Sequence, residues 1–108
     1  LGTDIPVYAS TARVAVRTGH TEAVTAVFRH PVDIGRAREL LSGAPGLVMA
    51  EHGTGPVDVE GRDEVFVDRL RKCPDDPRAL QFWVLADNLR KGAALNAVQI
   101  AEEYLKRA

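Results

Sequence analysis

Seven consecutive residues, Leu80 to Ala86 (Leu-Gln-Phe-Trp-Val-Leu-Ala), are apolar on both parities apart from Gln81. A run of that length without polar alternation suits a central strand covered on both faces, the most buried strand of its sheet. The rest of the chain has to supply that sheet. Glu64 to Lys72 reads as a neighbour, with Val65 and Val67 on one side, Phe66 and Leu70 on the other, and Pro74 and Pro77 breaking the chain beyond it. From Thr11 to Arg17 the side chains alternate, Val14 and Val16 against Arg13 and Arg17, which predicts a half-buried first strand. Gly19-His20-Thr21 interrupts that pattern, and Ala23 to Phe28 resumes a β-branched run that fits a second strand. His20 therefore falls at a strand junction.

Helical signals separate these strands. Pro31 stops the second strand, Asp33 is a candidate N-cap, and Ile34, Ala37, Leu40 and Leu41 recur at helical spacing until Gly43 and Pro45. Leu47 to Ala50 is a short apolar strand candidate, and Gly53, Gly55, Pro56 and Gly61 mark an irregular stretch. After Asp87-Asn88-Leu89-Arg90-Lys91-Gly92, the residues Ala94, Ala97, Val98, Ala101 and Leu105 share one helical face. Short connections between strands favour antiparallel pairing, so the expected fold class is α+β, with a mainly antiparallel or mixed sheet and two main helices.

Composition narrows the function classes. In 108 residues there is room for one compact domain or a piece of a larger one. Apolar residues at 45% and charged residues at 27% are enough for a packed core. Fourteen basic and fifteen acidic residues nearly cancel, so no overall field draws the chain to nucleic acid or to an anionic membrane. No apolar run approaches the roughly 20 residues of a membrane span, and a reducing cytoplasm is the default. Cys73, the single cysteine, has no second cysteine with which to bridge or hold zinc, so no structural metal is expected. The opening Leu1-Gly-Thr-Asp-Ile-Pro6 reads as a connector, which suggests a segment of a longer chain.

Three segments carry a family resemblance: Arg13-Val-Ala-Val-Arg-Thr-Gly-His20, Gly61-Arg-Asp-Glu-Val-Phe-Val-Asp-Arg69, and the tail Asp87-Asn-Leu-Arg-Lys-Gly-Ala-Ala-Leu-Asn-Ala-Val-Gln-Ile-Ala-Glu102. In order and spacing they resemble the C-terminal part of bacterial aspartate-semialdehyde dehydrogenases, where Arg-Val-Pro-Val precedes Gly-His-Ser-Glu-Ala-Val and Asp-Asn-Leu-Arg-Lys-Gly-Ala-Ala comes near the end. The tail is the most specific of the three, and the middle segment is ordinary strand sequence. Ala15 stands where the family often has proline, Thr21 where it has serine, and Asp68 where it has glycine; the stretch from His52 to Pro56 looks shorter than in relatives.

The resemblance implies a fold similar to the C-terminal domain of glyceraldehyde-3-phosphate-dehydrogenase-like enzymes. It divides the chain into a substrate-binding and dimerisation portion, 1–86, and a C-terminal helix, 87–108, expected to pack on an NADP-binding domain that lies outside this sequence. The implied activity is the NADP-dependent reductive dephosphorylation of L-aspartyl-4-phosphate to aspartate semialdehyde and phosphate, in lysine, threonine and methionine biosynthesis, by a cytoplasmic homodimer. Arg13 then holds the substrate's α-carboxylate, a task suited to a planar guanidinium that makes two parallel charge-assisted hydrogen bonds. His20 is the general acid/base, because imidazole titrates near neutral pH. Asn88 contacts the nicotinamide end of the cofactor, a helix N-cap being its plainer alternative, and Gly92 permits close cofactor or helix approach.

His30 and His52 read as surface or packing residues, and Gly53-Thr-Gly55 lacks the strand and helix of a dinucleotide fingerprint. Cys73 lies in a charged turn, Arg-Lys-Cys-Pro-Asp-Asp-Pro, unlike the Asn-Cys-Thr context of the family nucleophile. The nucleophile is thus expected outside this sequence, and 108 residues alone are expected to be inactive. The competing reading is a stand-alone, non-enzymatic dimerisation or binding domain derived from the family. The related acetylglutamyl-phosphate reductases share the chemistry, and the Asp-Asn-Leu-Arg-Lys-Gly tail argues against them.

Overall fold

The computed structural model describes residues 4–51 and 53–107. They form a four-stranded mixed sheet with two helices, the α+β fold expected. The strands are β1 (His20–Val27), β2 (Leu47–Met49), β3 (Val65–Lys72) and β4 (Ala79–Ala86), in the spatial order β1-β4-β3-β2. The β1–β4 and β4–β3 pairs are antiparallel, and short β2 runs parallel to β3. Helix α1 (Ile34–Ser42) lies between β1 and β2 in sequence and packs against β2 and β3. Helix α2 (Leu95–Arg107) closes the described chain.

Local chemistry explains most of these boundaries. The Asp33 side chain accepts a hydrogen bond from the Arg36 amide at 2.7 Å, satisfying one of the donors a helix start leaves unpaired. At the other end, the Gly43 amide donates to the carbonyls of Glu39 and Leu41 and stops α1. Between β3 and β4, Pro74 and Pro77 sit in the connection and not in either ladder, and the Cys73 amide donates to the Ala79 carbonyl at 3.1 Å to close it.

Directly opposed residues of a ladder share a face, so Thr21, Leu85, Phe66 and Val48 form one row across all four strands. Leu85 and Phe66 in that row are covered by Val59, which comes from a 3₁₀ turn at Pro56–Val59 in the connection before β3. Val48, Ala50 and Trp83 pack around them. This cluster therefore sits at the end of the sheet where β1 begins and β4 ends.

Three sequence expectations differ from what forms. Residues 11–17 are not a strand: the segment from 4 to 19 is irregular and mostly exposed. Alternation describes a side-chain pattern, whereas a strand also needs a neighbouring backbone, and β1 is paired on its β4 side only. Strand β4 is central, as its composition requires, yet Gln81 to Val84 are only half-buried, so its faces are not both covered within these residues. The two ends carry the burial instead, at Ala79, Leu80 and Leu85. Helix α2 forms with its apolar stripe open to solvent: Val98 is 54% exposed and Leu105 73%, and the helix contacts chiefly the turn that leads into it. An amphipathic period produces a helix without saying what covers it.

Replacing fully buried Leu85 by alanine is expected to cost about 2–5 kcal/mol, and removing the Asp33 cap by Asp33→Ala about 1 kcal/mol. Urea midpoints of the two variants, compared at constant m, check both values; equal midpoints would contradict the placement of the core.

Candidate active site

Two aspartates organise the core end of the sheet. Asp87, the first residue after β4, is buried, with 4% of its surface exposed. Its Oδ2 accepts from the Gly61 amide at 2.8 Å and its Oδ1 from the Leu89 amide at 2.9 Å. Its own carbonyl accepts from the amides of Arg90 and Lys91. The carboxylate thus ends β4, starts the wide turn at Arg90–Ala94 that precedes α2, and holds the last part of the 3₁₀ connection. The Gly61 amide lowers the Asp87 pKa most; burial opposes it, and the amides of Leu89 and Arg90 with the Arg90 charge add to the lowering.

Asp68 on β3 has 1% of its surface exposed. Its Oδ2 accepts from the Thr54 amide at 2.8 Å and its Oδ1 from the Arg69 amide at 2.6 Å. Burial pushes this carboxyl's pKa up, but the amides of Thr54 and Arg69 and the Arg69 charge outweigh it, and the net shift is downward. Arg69 itself takes φ +56° at an irregularity in the β3–β4 register between Asp68 and Arg71, and its guanidinium lies 4.5 Å from the centroid of the Trp83 ring. Asp58 closes the remaining amide of the loop, its Oδ2 accepting from Gly55 at 2.7 Å. Carboxylates of the chain thus occupy the Thr54 and Gly55 amides, so Gly53-Thr-Gly55 is a pinned connection and not a phosphate cradle.

The pinned connection presses on Gly19. That residue is buried at φ +96°, and a Cβ there would stand 2.4 Å from the Pro56 carbonyl oxygen. Both the left-handed backbone and the close approach exclude a side chain. On its other flank the Gly19 amide donates to Asn88 Oδ1 at 2.9 Å. His20 follows as the first residue of β1, opposite Ala86, with its side chain exposed. The structure therefore brings His20 and Asn88, which the sequence places on separate motifs, to the same end of the sheet. The hydroxyls of Thr18 and Thr21, on either side of Gly19-His20, are buried without a hydrogen-bond partner among the described residues.

The other sequence-derived positions fall as follows. Arg13 stands exposed on the irregular segment, away from any ladder. Gly92 lies exposed in the wide turn, where a Cβ would meet only Asn88 Cβ at 3.8 Å, an ordinary contact; packing within the described residues does not demand glycine there. His30 is exposed, and His52 lies outside the described residues. Cys73 is half-buried in the β3–β4 connection, at the opposite end of β4 from Ala86 and His20. Among the described residues no group of three His, Cys, Asp or Glu side chains could hold a metal. Sequence reasoning missed Asp87, Asp68 and Pro56 as organising residues. An Asp directly after a strand and ahead of a helical pattern is the capping signal that could have revealed Asp87; nothing local marks Asp68.

A family model described as "Semialdehyde dehydrogenase, dimerisation domain" matches residues 1–91. The aspartate-semialdehyde dehydrogenase of Aquifex aeolicus is 43% identical over 95% of the chain, and that of Prochlorococcus marinus 38% identical over 97%. The chain spans about a third of the length of these curated relatives, 32% in both cases. Among solved structures, aspartate semialdehyde dehydrogenase II of Vibrio cholerae complexed with ASA superposes with a TM-score of 0.79 at 39% identity, over 87% of this chain and 29% of that one.

Two outcomes follow from this geometry. Gly19→Ala is expected to destabilise more than Gly46→Ala, because Gly46 shares a positive φ (+71°) but has nothing within 4 Å of its Cβ position, leaving only the roughly 1–2 kcal/mol backbone term. Denaturant midpoints rank them. For the carboxylates, a folded pKa below the unfolded value of about 3.9 gives stability that is present above that value and lost as pH falls through the folded pKa. Asp68→Asn and Asp87→Asn should each flatten the acid limb of stability below about pH 4, as read from urea unfolding across that range.

Proposed function

Because the chain belongs to the semialdehyde dehydrogenase dimerisation-domain family, we propose that it is the substrate-binding and dimerisation portion of an NADP-dependent aspartate-semialdehyde dehydrogenase. The reaction is the reductive dephosphorylation of L-aspartyl-4-phosphate to aspartate semialdehyde and phosphate, serving lysine, threonine and methionine biosynthesis in the cytoplasm. The working form is a homodimer, with partners that include neither nucleic acid nor membrane. Supporting this reading are the curated relatives, which carry that enzyme's name, and the Vibrio cholerae structure, described as complexed with ASA.

The observation that carries it is the hydrogen bond from the Gly19 amide to Asn88. It joins the residue before the proposed acid/base to the proposed cofactor contact. With Oδ1 engaged by Gly19, the Asn88 side chain retains its amide N–H donors, which fit an acceptor such as a carboxamide oxygen. NADP, held in part by Asn88 with Gly92 beside it, would supply the hydride. His20, exposed at the head of β1, takes the proton of a cysteine contributed by another part of the full-length protein and returns a proton later. Arg13 holds the substrate α-carboxylate through its guanidinium fork. Its segment is exposed and lies outside the sheet. Positions 87–108 pack on the cofactor domain, which would cover the stripe that α2 leaves exposed.

In the full-length protein, assayed with aspartate semialdehyde, phosphate and NADP, His20→Ala is expected to lower kcat by about 10²–10⁴-fold with the fold intact. Arg13→Lys should act mainly on substrate use, lowering kcat/KM by roughly 10–100-fold, as expected for a lost charge-assisted hydrogen bond. Unchanged kinetics in both variants would remove these roles.

A further inference from the structure

We infer that Asn88 is a positioning residue for His20, holding the acid/base in place through the main-chain amide of Gly19. The inference rests on the reading of His20 given above and assigns Asn88 a task beyond contact with the cofactor.

The argument starts from Gly19. A residue at φ +96° has no intrinsic preference that keeps it there, and glycine explores the alternative backbone conformations freely. Two contacts fix it. One is steric: the Pro56 carbonyl lies where a Cβ would be. The other is the 2.9 Å hydrogen bond to Asn88 Oδ1, between residues far apart in sequence. Only the second is directional, so it sets the orientation of the Thr18–Gly19 peptide, one residue before His20.

Asn88 is well built for this. Asp87 beside it is held by the amides of Gly61 and Leu89, and its carbonyl accepts from Arg90 and Lys91, which fixes the backbone on both sides of Asn88. The Asp87-Asn88 pair thus acts as a two-pronged clip: Asp87 holds the Pro56-bearing connection at Gly61, and Asn88 holds the turn before His20. The imidazole itself is exposed and has no side-chain tether among the described hydrogen bonds, so its place depends on its main chain. An amide side chain supplies the acceptor for Gly19 while its donors remain available on the other side.

The test uses the full-length protein with Asn88→Ala and Asn88→Asp. Aspartate keeps an acceptor oxygen for the Gly19 amide and loses the amide donors. Hydrogen exchange at Gly19 is expected to quicken by on the order of ten-fold in Asn88→Ala and to stay slow in Asn88→Asp. In Asn88→Ala, kcat should fall by on the order of ten-fold, beyond any change in KM for NADP. Unchanged exchange at Gly19 in Asn88→Ala, or exchange equally fast in both variants, overturns the inference. So does a rise in KM for NADP with kcat intact, which would leave Asn88 a cofactor contact alone. His20→Ala at full activity would instead sink the acid/base reading, while exchange at Gly19 still decides whether Asn88 holds this turn.

Discussion

Two carboxylates buried among backbone amides hold this structure together at the end of the sheet where β1 begins. A carboxylate taken out of water is costly unless hydrogen bonds replace its hydration. Asp68 and Asp87 meet that demand with amide donors from loops and strand ends, not with paired side-chain cations. The arrangement converts a connection rich in glycine and proline into a fixed element. Once Thr54 and Gly61 are held, Val59 is delivered onto Leu85 and Phe66, and Pro56 is delivered onto Gly19. The position of His20 is the last term in that series.

Much of the fold was legible in the sequence because the signals were local. Asp33 and Gly43 bracket α1 as their cap chemistry requires, and the β-branched and aromatic runs give β2, β3 and β4 to within a residue or two. Only the start of the second expected strand moved, from Ala23 to His20, because pairing with β4 extends the ladder back to the residue after Gly19. The strand expected at residues 11–17 failed for a non-local reason, since a ladder partner cannot be read from alternation. The stripe of α2 and the middle of β4 were read correctly as apolar, but among the described residues the stripe is exposed and the middle of β4 is only half-buried.

The site was legible in part and for a different reason. His20 and Asn88 were named from motifs, and the fold places them at the same end of the sheet, where the Gly19 amide meets the Asn88 side chain. Asp68 attracted notice only as a departure from a glycine. Its value is set by the Thr54 amide, which reaches it across the fold, and no spacing rule connects the two. Arg13 and Gly92 were also named from motifs, and within the described residues neither is packed against the Gly19–Asn88 pair in a way that explains its identity.

The union of Asp68 with the Thr54 amide bears on how such a chain can drift. The carboxylate is tolerable because the loop passes over it, and the loop follows that path because the carboxylate is there. Exchange of either half alone leaves a buried carboxylate with one oxygen unpartnered or an untethered backbone, each disfavoured. The residue at 68 and the backbone course of 53–55 therefore form a single heritable character. A chimera that imports this loop from a relative with glycine at that position, without also importing the glycine, inherits a mismatch invisible to any residue-by-residue comparison of the two sequences.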